Sequence, residues 1–362
     1  MKIKEIMKKI LPKLSRKKKQ PEAPTGRITT DTLAEHREQV LAGGRKFKYP
    51  IQYQRHKLVV NTIIIAVSAL VLLIGLGWYS LYVAQSTSEF MYRVTKVVPV
   101  PVAVVDGRSV RYSDYLMKYR SAAHYLTEKE QIDVRSDDGK RQLAYVKTQA
   151  MSAAVADAYA AKLAKENNIS VSDTELESFL VQQRKSNDGE VSEATYDAVI
   201  EDYYGWSPDE YRTAMKMKLL RQKVSYAVDD NAKKLSEDIT SRIKGGDTNL
   251  EEIAATLNKQ KKQTVSYVGA TWVPKDNQDG GLAVAAGKLK DGQVSGAIKN
   301  TAGDGYYFVK LLESNDSQLR YEYIQVPLTA FNEKLATATK DDALRKFISI
   351  EDASSSDDSA TK

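Results

Sequence analysis

From Leu58 to Ser88 the chain carries no charged residue; Lys57 closes the run on one side and Glu89 on the other. Its centre, Ile63-Ile64-Ile65-Ala66-Val67 through Val71-Leu72-Leu73-Ile74, is almost wholly aliphatic. A helix needs about 20 apolar residues to cross the hydrocarbon of a bilayer, and a run of this length spans it with some tilt. Trp78, Tyr79 and Tyr82 gather at the C-terminal end, where an aromatic belt would sit among headgroups. The pattern predicts one transmembrane helix over residues 58–85.

Beyond this run the pattern changes twice. Residues 97–105 are β-branched and meet Asp106-Gly107, a strand and turn. Helical spacing follows from Ser113 to about Tyr125, with Tyr112, Tyr115, Leu116 and Tyr119 on one face. A long helix is predicted from Lys140 to Asn167, then helices over Thr174–Arg184, Glu193–Tyr204 and Ser207–Val224, with a polar loop at Ser186–Ser192. Ser207-Pro208-Asp209-Glu210 is a helix start: a capping Ser, Pro at the first position and Glu at the third. From Asp229 the pattern mixes periods. Helices are predicted over Asp229–Lys244, Asn249–Asn258 and Leu282–Leu289, and strands over Gln263–Val273, Gly305–Leu312 and Leu319–Val326. Thr329–Phe347 reads as one helix packing back on the body, and residues 351–362 as disordered by composition. The boundaries expected are 1–57 as a basic segment, 58–85 as the span, 97–227 as a helical domain, 228–328 as a mixed domain, 329–350 as a C-terminal helix and 351–362 as a tail.

Charge sets the orientation. Residues 1–57 hold 16 Lys/Arg against 5 Asp/Glu, and the remaining 305 hold 38 against 42. The net charge of +7 therefore comes from the short N-terminal segment. Positive charge near a span end stays in the cytoplasm, so residues 1–57 are expected inside and 86–362 outside. Residues 1–19 space Ile3, Ile6, Met7, Ile10, Leu11 and Leu14 among lysines, a basic amphipathic stretch suited to an anionic inner leaflet. The alternative is a solvated tail that only enforces orientation. Ala84-Gln85-Ser86 would pass as a signal cleavage site, but the basic leader is too long and the apolar core exceeds the usual h-region. No cysteine exists, which excludes disulfides, thiolate chemistry and a lipid-modified cysteine. No basic stripe interleaved with aromatics points to nucleic acid. No phosphate-binding loop, zinc-ligand cluster or Ser/His/Asp set is visible, so no cofactor or metal is expected. Asp137-Asp138 and Asp229-Asp230 read as capping and solvated pairs.

Val102-Ala103-Val104-Val105-Asp106-Gly107, Tyr112-Ser113-Asp114-Tyr115, Lys165-Glu166-Asn167-Asn168-Ile169-Ser170-Val171-Ser172-Asp173 and Trp206-Ser207-Pro208-Asp209-Glu210-Tyr211-Arg212 occur in that order over about 130 residues. This arrangement resembles the N-terminal domain of SurA/PrsA/PpiD-type chaperones of the bacterial cell envelope. The two helices around Gly245-Gly246, Gly269-Ala270-Thr271-Trp272, Leu289-Lys290-Asp291-Gly292-Gln293-Val294-Ser295 and Gly305-Tyr306-Tyr307-Phe308-Val309-Lys310-Leu311 resemble a parvulin-type (PpiC-like) peptidyl-prolyl isomerase domain. The fold class implied is α+β: a single transmembrane helix, a mostly helical chaperone domain and a small parvulin-like domain with an antiparallel-type sheet.

The resemblance implies unfolded or nascent exported polypeptides as partners. It also implies that amphipathic aromatics grip them, with Tyr112, Tyr115, Tyr119, Tyr211, Trp206 and Trp272 as candidates; the competing reading of each tyrosine is core packing. Active parvulins carry a histidine pair in the central strands. Here the only histidines are His36, His56 and His124, all outside that region. Tyr307 stands where the last strand often has His. Tyr226, on a first strand at Lys223–Val228, or Tyr323, on one at Arg320–Val326, stands at the other place. The domain is therefore read as degenerate, a second peptide-binding surface. The alternatives are an isomerase with a tyrosine-based site and a scaffold for an envelope complex.

Overall fold

The computed structural model describes residues 29–47, 50–186, 189–260, 265–340 and 343–350. The stretch expected to be amphipathic over 1–19 and the tail 351–362 lie outside the described residues. The chain divides into two compact units, Met1–Leu76 and Gly77–Lys362. The first contains α1 (Thr30–Phe47) and most of α2 (Pro50–Trp78). Lys57–Val83 is the one described helical stretch long and apolar enough to cross a membrane. Side chains from Leu58 to Leu76 are exposed. At Tyr79–Val83 the helix loosens into a π-helical turn, and Gln85 takes a left-handed conformation (φ 47°) that ends it.

In the second unit α3 (Glu89–Val97) starts at Ser88, whose Oγ accepts from the Met91 N–H at 3.3 Å. Residues 97–100 were expected to begin a strand. The Ser88 cap instead carries the helix through Val97, and β1 (Pro101–Val105) starts only after Pro99. β2 (Arg108–Arg111) pairs with β1 across Asp106-Gly107, both at positive φ (45° and 74°). A two-residue hairpin needs this backbone to match strand twist. α4 (Tyr112–His124), α5 (Asp137–Glu166), α6 (Asp173–Gln183), α7 (Glu193–Tyr204) and α8 (Pro208–Val228) follow, with Ser136, Ser172, Ser192 and Ser207 capping the last four. The expected loop at 186–192 contains a small hairpin, β3 (Lys185–Ser186) with β4 (Gly189–Glu190). Val102, Val105 and Val110 from the β1–β2 hairpin pack on Tyr112, Leu116, Met151 and Ala160. A smaller cluster of Val171, Leu176, Leu180, Ile200 and Tyr211 ties α6, α7 and α8 together.

The C-terminal half contains α9 (Asp230–Lys244), α10 (Leu250–Gln260), β5 (Ser266–Pro274), α11 (Leu282–Ala286), β6 (Ile298–Lys299), β7 (Gly305–Ser314) and β8 (Gln318–Pro327). The strands form an antiparallel sheet in the order β5–β8–β7–β6. The period-2 alternation splits β7 cleanly. Tyr306 and Phe308 face Leu235, Ile239, Leu250, Ile253 and Leu257 of α9 and α10, while Tyr307, Val309 and Leu311 face Leu282 and Ala286 of α11. The molecule is thus α+β, mostly helical, with antiparallel sheets.

The chain end departs from expectation. Instead of one helix over 329–347, α12 (Ala330–Ala338) stops and β9 (Leu344–Lys346) adds to the free edge of β1. Phe347 N–H donates to the Val102 carbonyl at 2.9 Å, and Asp106 N–H to Ala343 at 3.1 Å. Phe331 and Ile348 enter the core of the helical module. The open edge of a two-stranded hairpin leaves a row of backbone groups to satisfy, and that demand outweighs helix propensity in Leu344-Arg345-Lys346.

Asp229 joins exit and return. It is buried (1% exposed), its Oδ1 accepts from Ala232 N–H at 2.9 Å, and its Oδ2 accepts from Thr329 and Ala330 N–H at 2.8 and 3.0 Å. It caps α9 and receives the start of α12 with one carboxylate. A lost cap costs about 1 kcal/mol and each buried orphan donor roughly 1–3 kcal/mol. Asp229→Ala is therefore expected to lower unfolding stability by roughly 3 kcal/mol or more, read from urea denaturation of the full chain; a loss below 1 kcal/mol would show the latch to be dispensable.

Candidate functional site

A cleft of about 500 Å³ opens between α3, α4 and the α7–α8 turn. The turn places its key side chains. Gly205 ends α7 in the left-handed region (φ 62°), and the His124 ring packs where a Cβ would stand, 3.0 Å away. Trp206 follows. Its indole N–H donates to the Met117 carbonyl at 3.3 Å, and its ring stacks on Tyr204 at 5.3 Å. Ser207 and Glu210 form the capping box read from the sequence. Glu210 has a second task that no local pattern announces: its Oε1 accepts from the Tyr92 hydroxyl at 2.6 Å and from Lys96 at 3.4 Å, joining α8 to α3.

The walls carry both charges. Glu89, Arg93 and Lys96 come from α3, Arg120 and His124 from α4, and Glu201 and Glu210 from the other side. The Arg120 guanidinium lies 5.0 Å above the Tyr92 ring and 3.7 Å from a Glu89 oxygen, and its Nη1 is buried with no hydrogen-bond partner. Burial alone would raise the Glu210 carboxyl. The Tyr92 hydroxyl, the Ser207 N–H and the Lys96 ammonium outweigh that and hold it below its ordinary value. Burial and the Glu210 hydrogen bond push the Tyr92 hydroxyl far up, so it stays a neutral donor. Trp206, Tyr92 and Met117 lie among the charged residues that line the cleft. Among the described residues no group of three or more His, Asp or Glu is arranged to hold a metal.

The expected binding aromatics separate. Tyr112, Tyr115, Tyr119 and Tyr211 are buried, with exposures of 1–7%. Tyr112, Tyr115 and Tyr119 stack into the core below the hairpin, so their rings present no surface to a client. Tyr211 packs in the smaller cluster and shares a hydrogen bond with Tyr196 at 2.8 Å. Trp206 alone of the six lines the cleft, and Trp272 stands exposed on the edge strand β5. Tyr92, Arg120 and Glu210 escaped sequence reading because they meet only when three helices pack.

The second module brings Tyr307 and Tyr323 together, rings 5.7 Å apart on the α11 face of the sheet. The Tyr307 hydroxyl donates to Asp304 at 3.0 Å, and the adjacent Tyr321 hydroxyl donates to Asp279. Burial and these carboxylates raise both phenols above their ordinary range. Both are neutral and already committed as donors. Tyr226 is not on a strand: Lys223–Val228 is the last turn of α8, continued from Pro208 by helical spacing. Its hydroxyl donates to the Gly305 carbonyl at 2.7 Å, and its ring meets Tyr306 under Lys299.

Residues 51–225 match the SurA-like N-terminal domain family. No curated protein matches the chain. The matched stretch takes in the apolar helix and the whole cleft, and it closes within α8, before the sheet module.

Because the folded-state Glu210 carboxyl lies below its ordinary 4.5, its charge adds stability above that pH, and the gain disappears as pH falls through the folded value. Glu210→Gln is expected to lose about 1–2 kcal/mol at pH 7. In denaturation at a series of pH values the gap to the native chain should shrink below pH 4.5; a gap that stays constant would mean charge plays no part.

Proposed function

We propose that this chain is a membrane-anchored folding factor that holds unfolded exported polypeptides outside the cytoplasm. The observation that carries the reading is the SurA-like match over the module that contains the cleft. SurA-like domains are extracytoplasmic and bind unfolded polypeptides in general. The uncharged run 58–88 with its basic flank supports an uncleaved anchor with residues 1–57 inside. Tethering at the export site raises the local concentration of chaperone against emerging chains. In the cleft, Trp206 offers an apolar face of broad specificity.

In this reading the sheet module is a parvulin-like domain without isomerase chemistry. Prolyl isomerisation requires the amide to be twisted and desolvated across a barrier of about 20 kcal/mol. Tyr307 and Tyr321 spend their hydroxyls on Asp304 and Asp279. The second reading, an isomerase with a tyrosine pair, draws on the meeting of Tyr307 and Tyr323.

The full chain in detergent is expected to delay aggregation of a chemically denatured protein at near-stoichiometric amounts. Trp206→Ala should weaken that delay several-fold, whereas Trp272→Ala should not. No delay at any ratio would leave a scaffold. The same preparation should leave cis/trans exchange of an X-Pro peptide unchanged by NMR; acceleration at catalytic amounts, lost in Tyr307→Phe or Tyr323→Phe, would establish the isomerase instead.

A further inference from the structure

α3 buries one side and leaves apolar side chains exposed on the other. Tyr92 and Thr95 face inward, at 7% and 1% exposure. Phe90 and Val97 face outward at 68% and 83%, followed by Val98 at 51%. At 100° per residue Phe90, Val94 and Val97 share one stripe, and Arg93 flanks it. A buried helix leaves no such stripe, and a water-facing one is normally polar.

The chain on both sides of α3 is tied to the last turn of the apolar helix. Before it, Ala84 and Ser86 N–H donate to the carbonyls of Tyr79 and Ser80, each at 2.9 Å. After it, the Tyr82 hydroxyl donates to the Pro101 carbonyl at 2.6 Å, and Tyr112 reaches back to the Leu81 carbonyl at 2.7 Å. A nine-residue helix is about 13 Å long, so tethers at both ends keep α3 close to Tyr79–Val83. That turn carries Tyr79 exposed beside Trp78, the pair that would mark the headgroup level of a spanning helix.

We infer that α3 lies in the headgroup layer of the same bilayer that α2 crosses, with Phe90, Val94 and Val97 toward the acyl chains and Arg93 toward lipid phosphates. The inference rests on the anchor reading above. Continuity with the span selects lipid over a protein partner for this stripe. The flank of α3 that carries Glu89, Tyr92 and Lys96 lines the cleft. The cleft mouth is therefore set beside the membrane surface, where an exported chain emerges.

The absence of cysteine makes the test direct. Phe90→Cys, Val97→Cys, Ile74→Cys and Tyr145→Cys all alter exposed positions, so a fluorescent label at each replaces no core packing. The full chain carrying one label is placed in phosphatidylcholine–phosphatidylglycerol vesicles, with nitroxide lipids quenching at headgroup depth or in the acyl centre. Labels at 90 and 97 should shift to the blue and lose most of their emission to the headgroup quencher. The label at 74 should respond to the deep quencher, and that at 145 to neither. Quenching at 74 with labels at 90 and 97 behaving like 145 would overturn the inference and leave the anchor standing. No quenching at 74 would overturn both.

Discussion

One buried carboxylate governs how this chain is assembled. Asp229 stands where the polypeptide leaves α8, and it receives the backbone again at Thr329 and Ala330, a hundred residues later. Between those points lies the whole sheet module. A neutral side chain there would leave several backbone donors unpaired away from water. With the carboxylate in place, α9 begins, α12 begins, and the chain is aimed back at the hairpin whose open edge β9 then closes. The helical module is consequently built from both ends of the stretch that follows the apolar helix, and the sheet module is inserted between them.

A second chain of contacts runs the other way. Trp78, Tyr82, Tyr112, Tyr115 and Tyr119 pack in succession, with ring separations of 5.8–6.2 Å. Tyr112, Tyr115 and Tyr119, candidate client contacts in the sequence, are buried in the core beneath the hairpin. Trp206, Tyr92 and Arg120 line the cleft instead.

The sheet module shows the same redistribution. Four tyrosines stand on β7 and β8, where alternation sends Tyr306 to the α9–α10 side and Tyr307, Tyr321 and Tyr323 to the other. Two of the hydroxyls on that second side are held by Asp279 and Asp304. A phenol raised by burial and bound to a carboxylate is a fixed structural donor, with no capacity to take or release a proton near neutral pH.

The sequence alone determined what depends on neighbours a few residues apart. The apolar run, the serine caps at 172 and 207, the Asp106-Gly107 hairpin and the alternation of β7 are local, because 3.6- and 2-residue periods and capping geometry are complete within a single element. The strand at Leu344–Lys346 was not legible, since its stability comes from an unpaired edge some 240 residues earlier. Nor was the helical start at Glu89, set by a single serine at the end of an uncharged run. The cleft was the least visible feature. Glu210 was readable as a cap, but its partnership with Tyr92 spans 118 residues. Only tertiary packing decides which polar groups share a desolvated space, and that sharing turns a helix cap into one wall of a site.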